Sequence, residues 1–254
     1  PVLAITGQVG RPMLGRDAFQ ETEVVGVTMP VTKHNVLVRD VEELADDVRN
    51  AMAIAMEGRP GPVLVDVPKD VQNQKGEYPV PGARRQREVP RHLTPDTWPL
   101  EQVAQLIASA ERPLLMIGHG VIVSEAYAAI RALAELTGMP VITTLLGISA
   151  FPQAHELHLG MPGMHGEVHV NKAIQAADLI IGIGMRFDDR VTGNTATFAP
   201  CAKIVHVDID AAAIGRNVPV AIGTVEDARQ VVERLLTVVA PRECLAWRKE
   251  IAAL

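Results

Sequence analysis

Aromatic residues make up only 3% of this 254-residue sequence, cysteine occurs twice, and acidic residues outnumber basic ones to give a formal net charge of −6. A nucleic-acid surface needs clustered Lys and Arg and rings on which bases stack, so that class is excluded. Only Arg84, Arg85 and Arg87 gather positive charge, in a Pro- and Gly-containing stretch that reads as a solvated linker. Cys201 and Cys244 are too few for a disulfide framework and have no CxxC or His partner at metal-ligand spacing, which fits a reducing, cytoplasmic setting. No run of about 18 apolar residues exists to span a membrane. Also missing are a Ser/His/Asp or Cys/His triad, a metal cluster and a P-loop. Any reaction must therefore take its reactive atoms from a cofactor or from residues elsewhere. The sequence opens without Met, in the strand-like run Pro1 to Gly7 and without a signal-peptide layout; the expectation is an internal piece of a longer polypeptide.

What is present is a globular composition, 48% hydrophobic and 21% charged, long enough for two domains. From Val2 to Pro68 the order reads strand, Gly-rich polar loop, short strand, helix, strand. The helix is Val41 to Met56, with Leu44, Val48, Met52 and Ala55 at helical spacing and Asp40 as N-cap. Gly58-Arg59-Pro60-Gly61-Pro62 ends it, and Val63 to Pro68 is the next strand. Further strands are expected at Pro113 to Ile117, Pro140 to Thr144, Leu179 to Ile183, Lys203 to Asp208 and Pro219 to Ile222. Helices are expected at Ser124 to Thr137, Glu167 to Ala177 and Glu226 to Val239. Strands alternating with helices predict a parallel, doubly wound, Rossmann-like α/β domain, preceded by half of a second α/β domain. The boundaries expected are 1–80 for the first part, 81–97 for a linker, 98–240 for the central domain and 241–254 for a C-terminal linker.

The densest chemistry is Gly184-Met185-Arg186-Phe187-Asp188-Asp189-Arg190-Val191-Thr192-Gly193, released at the carboxyl end of an apolar strand, where open α/β sheets bind ligands. An anionic ligand is one reading; a solvated loop with Arg186 and Arg190 paired to Asp188 and Asp189 is the other. Gly118-His119-Gly120 and then Ser124 follow another strand, so that backbone N–H groups and a helix dipole could face an anion, although a tight strand-helix turn explains the glycines as well. Val123 stands where a dinucleotide fingerprint wants a small residue. Thr143-Thr144-Leu145-Leu146-Gly147 ends a strand with hydroxyls, and Val205 to Asp210 ends one with carboxylates able to accept a ribose hydroxyl, with Asp210 alternatively a cap. Gly160 to Gly166 adds Met161, Met164 and His165 among glycines, suited to a flat ring. Together these loops describe a cleft for an anionic, nucleotide-like ligand. In the first part, Arg11, Arg16, Asp17, Phe19 and Gln20 share one loop and Lys69 follows a strand, a constellation able to hold a small carboxylate.

The blocks Val2 to Val9, Asp17 to Glu21, Thr32 to Asn35, Gly58 to Asp70, Gly163 to Gly166, Arg186 to Gly193 and Ile204 to Asp210 together resemble the acetohydroxyacid (acetolactate) synthase catalytic subunits over nearly the whole chain. The resemblance implies a thiamine-diphosphate-dependent transferase that joins pyruvate to a second pyruvate or to 2-ketobutyrate, with loss of carbon dioxide, in branched-chain amino-acid biosynthesis. It implies thiamine diphosphate, Mg and FAD as cofactors, with the thiamine diphosphate and Mg sites mostly outside this chain and the flavin structural. A homodimer or tetramer and a separate regulatory subunit are implied as well. This chain matches the second half of the pyrimidine-binding domain and the central FAD-binding domain, and is expected to be inactive alone. Carried over position by position, Gln20 lies near thiamine, Phe19 in the substrate region, Lys69 at the mouth of the active site, and Arg190 on the carboxylate of the second ketoacid. Arg59, Gly118, Gly120, Thr144, Leu145, Gly163, Met164, His165, Gly184, Arg186, Asp208, Ile209 and Asp227 match flavin-contacting positions. Two departures stand out: Gly10 where many relatives have proline in the herbicide-contacting loop, and Glu226 where glycine usually precedes Asp227. Another FAD-containing thiamine carboligase, such as glyoxylate carboligase, and a non-catalytic nucleotide-binding module are the alternatives.

Overall fold

The apolar opening of the sequence forms strand β1 (Val2–Gln8), followed by a short helix α1 (Val24–Thr28), strand β2 (His34–Leu37), helix α2 (Val41–Met56), strand β3 (Pro62–Pro68) and a short helix α3 (Lys69–Asn73). A computed structural model describes residues 1–77 and 98–254. The chain divides into two units, Pro1–His92 and Leu93–Leu254. In the first, β3 runs between β1 and β2, parallel to both. Val63, Val65 and Val67 are buried with Val38, Ala51, Ala55 and Val71, because a central strand and the inner stripe of α2 share one apolar layer. Asp40 caps α2 as expected, accepting the Glu42 N–H at 3.2 Å. The linker expected at 81–97, with Arg84, Arg85 and Arg87, lies outside the described residues.

The second unit is built on helix α4 (Leu100–Ser109), strand β4 (Pro113–Ile117), helices α5 (His119–Val123) and α6 (Tyr127–Thr137), strands β5 (Val141–Thr143) and β6 (His158–Gly160), helix α7 (Val168–Ala176), strand β7 (Leu179–Ile183), a helical turn α8 (Asp189–Thr192), strands β8 (Lys203–Asp208) and β9 (Ile222–Val225), and helices α9 (Ala228–Leu235) and α10 (Leu245–Ala252). Its six-stranded sheet has the order β6-β5-β4-β7-β8-β9, every pair parallel. From β4 the chain winds outward through β5 and β6, then returns to place β7 on the other side of β4. The β4–β7 boundary is therefore a topological switch point, and all strands end on one carboxyl edge.

Three expectations are corrected. The last strand is Ile222–Val225 rather than 219–222: its ladder begins at Val205 opposite Ile222, and Pro219 has no N–H to contribute. The helix expected from Ser124 starts at Tyr127, because Glu125 takes a left-handed φ of 52° that separates α5 from α6. Residues 241–254 are no bare linker: they hold α10, whose Trp247 and Ile251 are buried in the second core and whose Trp247 Nε1 donates to Pro113 O at 3.1 Å.

Candidate functional site

At the switch point, three main chains meet with no room for side chains. The Gly120 N–H donates to Gly184 O at 3.0 Å, the Gly118 N–H to Ile183 O at 3.0 Å, and the Gly184 N–H to Val207 O at 2.8 Å. A Cβ on Gly120 would lie 2.6 Å from the Gly184 Cα, and Gly184 itself has φ +62°. The Leu145–Ala150 turn closes on the same point: Thr144 N–H donates to Ile117 O at 2.9 Å, and a Cβ on Gly147 would meet Ile117 O at 2.8 Å. The tight strand-helix turn that explains Gly118 and Gly120 is present. Their N–H groups are committed to carbonyls and do not face an anion; what the glycines provide is close approach of main chain to the edge.

Beyond Gly184 the chain turns sharply. Phe187, at φ 49°, is buried edge-on against His206, with ring centroids 5.0 Å apart, and near Phe198 at 6.1 Å. Its ring fills the place of a side chain on Gly182, where a Cβ would come within 2.6 Å of the Phe187 ring. Burying the ring offsets a left-handed cost of about 1–2 kcal/mol. Arg186 and Asp188, on either side, are thereby turned outward and pair at 2.8 Å, with half the Arg186 side chain exposed. Arg190, 70% exposed, sits 3.9 Å from Asp189. The ion pairs of the solvated-loop reading are thus present, but pairs this exposed hold a guanidinium only weakly against an incoming anion.

The loop after β6 packs onto the same block. Met164 N–H donates to Arg190 O at 3.3 Å, and a Cβ on Gly163 would collide with Arg190 O. Asn171 on α7 holds Gly163 from both sides, and Glu167 accepts the Met161 N–H at 2.7 Å. Met164 and His165 are left exposed at the tip, as is Leu145 after β5. On β8, buried Asp208 accepts the Asp210 N–H at 2.8 Å, and Ile209 is exposed. Asp210 is a turn cap, accepting the Ala212 N–H at 3.0 Å. Asp227 caps α9 and takes the Ser124 hydroxyl at 2.9 Å, so Ser124 supports α9 instead of starting α6. Glu226, largely buried, is paired with Arg234; burial pushes its carboxyl up and the guanidinium opposes that.

In the first unit, Phe19 is 88% exposed, and Gln20 is exposed with φ 63°. Their loop is set by Glu21, whose carboxylate accepts the N–H groups of Gly15, Arg16 and Ala18. Those backbone donors hold it below the usual carboxylate range. Lys69 is exposed at the carboxyl end of β3, the same edge as the Gln20 loop after β1. Arg59, before β3, lies at the opposite edge. Arg11 does not serve as a carboxylate anchor: its Nε is 2.6 Å from Asp70, its N–H also donates to Asp70, and Nη1 donates to Arg39 O. Gly10 has φ −58°, a value that a proline ring would also impose.

Residues 100–235 match the family described as thiamine pyrophosphate enzyme, central domain. The chain belongs to that family. It is 51% identical over 239 residues to the acetolactate synthase large subunit of Corynebacterium glutamicum, covering 93% of this chain and 38% of that protein. It is 48% identical over 236 residues to the acetolactate synthase large subunit of Mycobacterium tuberculosis, with the same coverages. With acetolactate synthase 2, chloroplastic, of Nicotiana tabacum it shares 44% over 262 residues, 99% of this chain and 39% of that protein. The chain thus spans well under half the length of these relatives.

Within this thiamine pyrophosphate enzyme domain, Gly118, Gly120, Thr144, Leu145, Gly163, Met164, His165, Gly184, Arg186, Arg190, Asp208, Ile209 and Asp227 all end or follow strands of one parallel sheet and share its carboxyl edge. Gln20, Phe19, Lys69 and Arg59 belong to the other unit. An open groove of about 660 Å³ lies elsewhere in the second unit, lined by Leu157, His158, His169, Leu245 and Arg248; it includes none of the carboxyl-edge residues. Sequence reasoning missed Asn171, Glu167 and Asn217, which hold the loops from outside them, and gave no role to His206. Among the described residues, no cluster of His, Cys, Asp or Glu could hold a metal ion, and no helix is long and apolar enough to cross a membrane.

Proposed function

We propose that this chain is part of a thiamine-diphosphate-dependent acetolactate synthase, and that the carboxyl edge of its second unit holds FAD. The convergence of the loops after β4, β5, β6, β7 and β8 on one glycine-lined edge carries the reading. FAD fits what that edge offers. Exposed Leu145, Met164 and Ile209 suit a flat apolar ring, outward-turned Arg186 suits a pyrophosphate, and the Asp208 carboxylate suits a ribose hydroxyl. Close main-chain approach at Gly120 and Gly184 leaves no side chain to block the ligand.

The substrates are pyruvate, with pyruvate or 2-ketobutyrate as acceptor, on the way to branched-chain amino acids. Thiamine diphosphate, with Mg, supplies the carbon nucleophile when bound, and the flavin adds no net redox change. This chain's own residues bind and orient. Gln20 and Phe19 line the thiamine and substrate region, and Lys69 stands at the mouth of the active site. Arg190, exposed and only loosely paired, receives the acceptor carboxylate through a two-pronged hydrogen bond. The same reading puts the thiamine diphosphate and Mg sites mostly outside this chain. Assembly as a homodimer or tetramer, a regulatory subunit and a cytoplasmic location belong to the same reading.

The test compares two polypeptides supplied with pyruvate, thiamine diphosphate, magnesium and FAD. The 254-residue chain is expected to give background only, and a polypeptide of the relatives' full length carrying this chain is expected to form acetolactate. Turnover by the short chain, or none by the long one, contradicts the proposal.

A further inference from the structure

Three successive carbonyls leave the end of β7, and each is held by a donor from a different segment. Gly184 O accepts the Gly120 N–H at 3.0 Å, Met185 O accepts His206 Nε2 at 2.7 Å, and Arg186 O accepts the Asn217 amide at 3.3 Å. Only His206 is fully buried among these donors. Because a carbonyl can only accept, Nε2 must carry the ring proton. Nδ1 is then a buried acceptor, and it has no hydrogen-bond partner. An unpartnered buried nitrogen is unfavourable, and an aliphatic residue on β8 would avoid it. The imidazole is therefore explained by what its other nitrogen does at Met185, and by its edge-on contact with Phe187, at an interplanar angle of 88°.

We propose that His206 is a positioning residue for the ligand-binding edge. By holding Met185 O and flanking Phe187, it fixes the direction in which Arg186 leaves the sheet toward the pyrophosphate of a bound dinucleotide. Burial keeps the ring neutral, which preserves the single donor the arrangement needs. The proposal rests on the reading of this edge as a flavin site.

The test titrates FAD into the full-length polypeptide by flavin fluorescence, for the wild type, His206→Leu and His206→Gln, with urea unfolding of each alongside. Leucine removes the donor and should weaken FAD binding about fivefold to tenfold, the worth of one hydrogen bond. Glutamine can offer its amide N–H to Met185 O and should return affinity to within about twofold of the wild type, with no matching order in stability. Equal affinity in all three overturns the proposal. So does a parallel loss of affinity and stability in both variants, which would mark His206 as scaffold only. Absence of FAD binding by the wild type overturns the flavin reading itself, and the proposal with it. Should the leucine variant fail to fold, the ¹⁵N shifts of the wild-type imidazole still decide: a proton on Nε2 is expected, and a proton on Nδ1 overturns the assignment.

Discussion

Asn171 holds Gly163 by both of its main-chain polar groups: the Gly163 N–H donates to Oδ1 at 2.8 Å, and Nδ2 donates to the Gly163 carbonyl at 2.9 Å. One side chain on α7 thus fixes a loop whose tip, Met164 and His165, is exposed. Two half-buried hydrogen bonds at about 1 kcal/mol each set the scale. Asn171→Ala should lower the unfolding free energy by about 1–2 kcal/mol in urea and speed amide exchange at Gly163 and Met164. Unchanged exchange at those amides would show that the loop is held by something else.

Gly184 and Gly215 both have positive φ, +62° and +69°, yet only Gly184 has main chain against it; nothing lies within 4 Å of where a Gly215 Cβ would be. Alanine at either position meets the left-handed cost, but at Gly184 it must also displace Gly120. Gly184→Ala should therefore cost about 1–3 kcal/mol more than Gly215→Ala in chemical denaturation. Equal costs would mean that the Gly120–Gly184 approach is slack.

How much of this was legible in the sequence depended on where each interaction lay. β4, β7 and β8 are buried on both faces, so their apolar runs read directly as strands of a parallel sheet, and the ligand-type residues after them fell on one edge as expected. The role of Phe187 was not readable, because its partners Gly182, Phe198 and His206 are gathered by folding and not by local spacing. The Asn171 clamp escaped for the same reason. α10 was missed because its buried positions, Trp247 and Ile251, stand among Arg248, Lys249 and Glu250, so the segment reads as polar. Arg11 misled, since a loop arginine gives no sign in sequence that Asp70 will claim it.

Burial lowers the His206 pKa, with the Met185 carbonyl and Asp208 opposing in part. The unfolded imidazole titrates near its ordinary value of about 6.5. Below that pH and down to the folded value, the unfolded chain binds a proton that the folded one does not, so stability rises with pH and falls on acidification. Unfolding free energy should therefore decline from about pH 7 to about pH 5, and decline less steeply in His206→Gln. His158, also lowered by burial, keeps its share in the variant. Identical slopes would show that His206 is not titrating in this range.

Arg190 is 70% exposed and 3.9 Å from Asp189, so its guanidinium is available to a carboxylate. In the full-length polypeptide, Arg190→Lys replaces a planar, two-pronged donor by a point charge and should cost acceptor use about 1.5–3 kcal/mol. Carbon dioxide release from pyruvate should suffer less than acetohydroxyacid formation. Equal losses in both, with reduced FAD content, would make Arg190 a flavin-binding or structural residue.

Whether FAD lies across the carboxyl edge of the second unit is tested most directly by the location of FAD in a crystal of the full-length polypeptide. Electron density should cross the β4–β7 switch point, with pyrophosphate near Arg186, a ribose hydroxyl near Asp208 and the ring system against Leu145 and Met164. Density for FAD elsewhere in the protein, with this edge left to solvent, would contradict it.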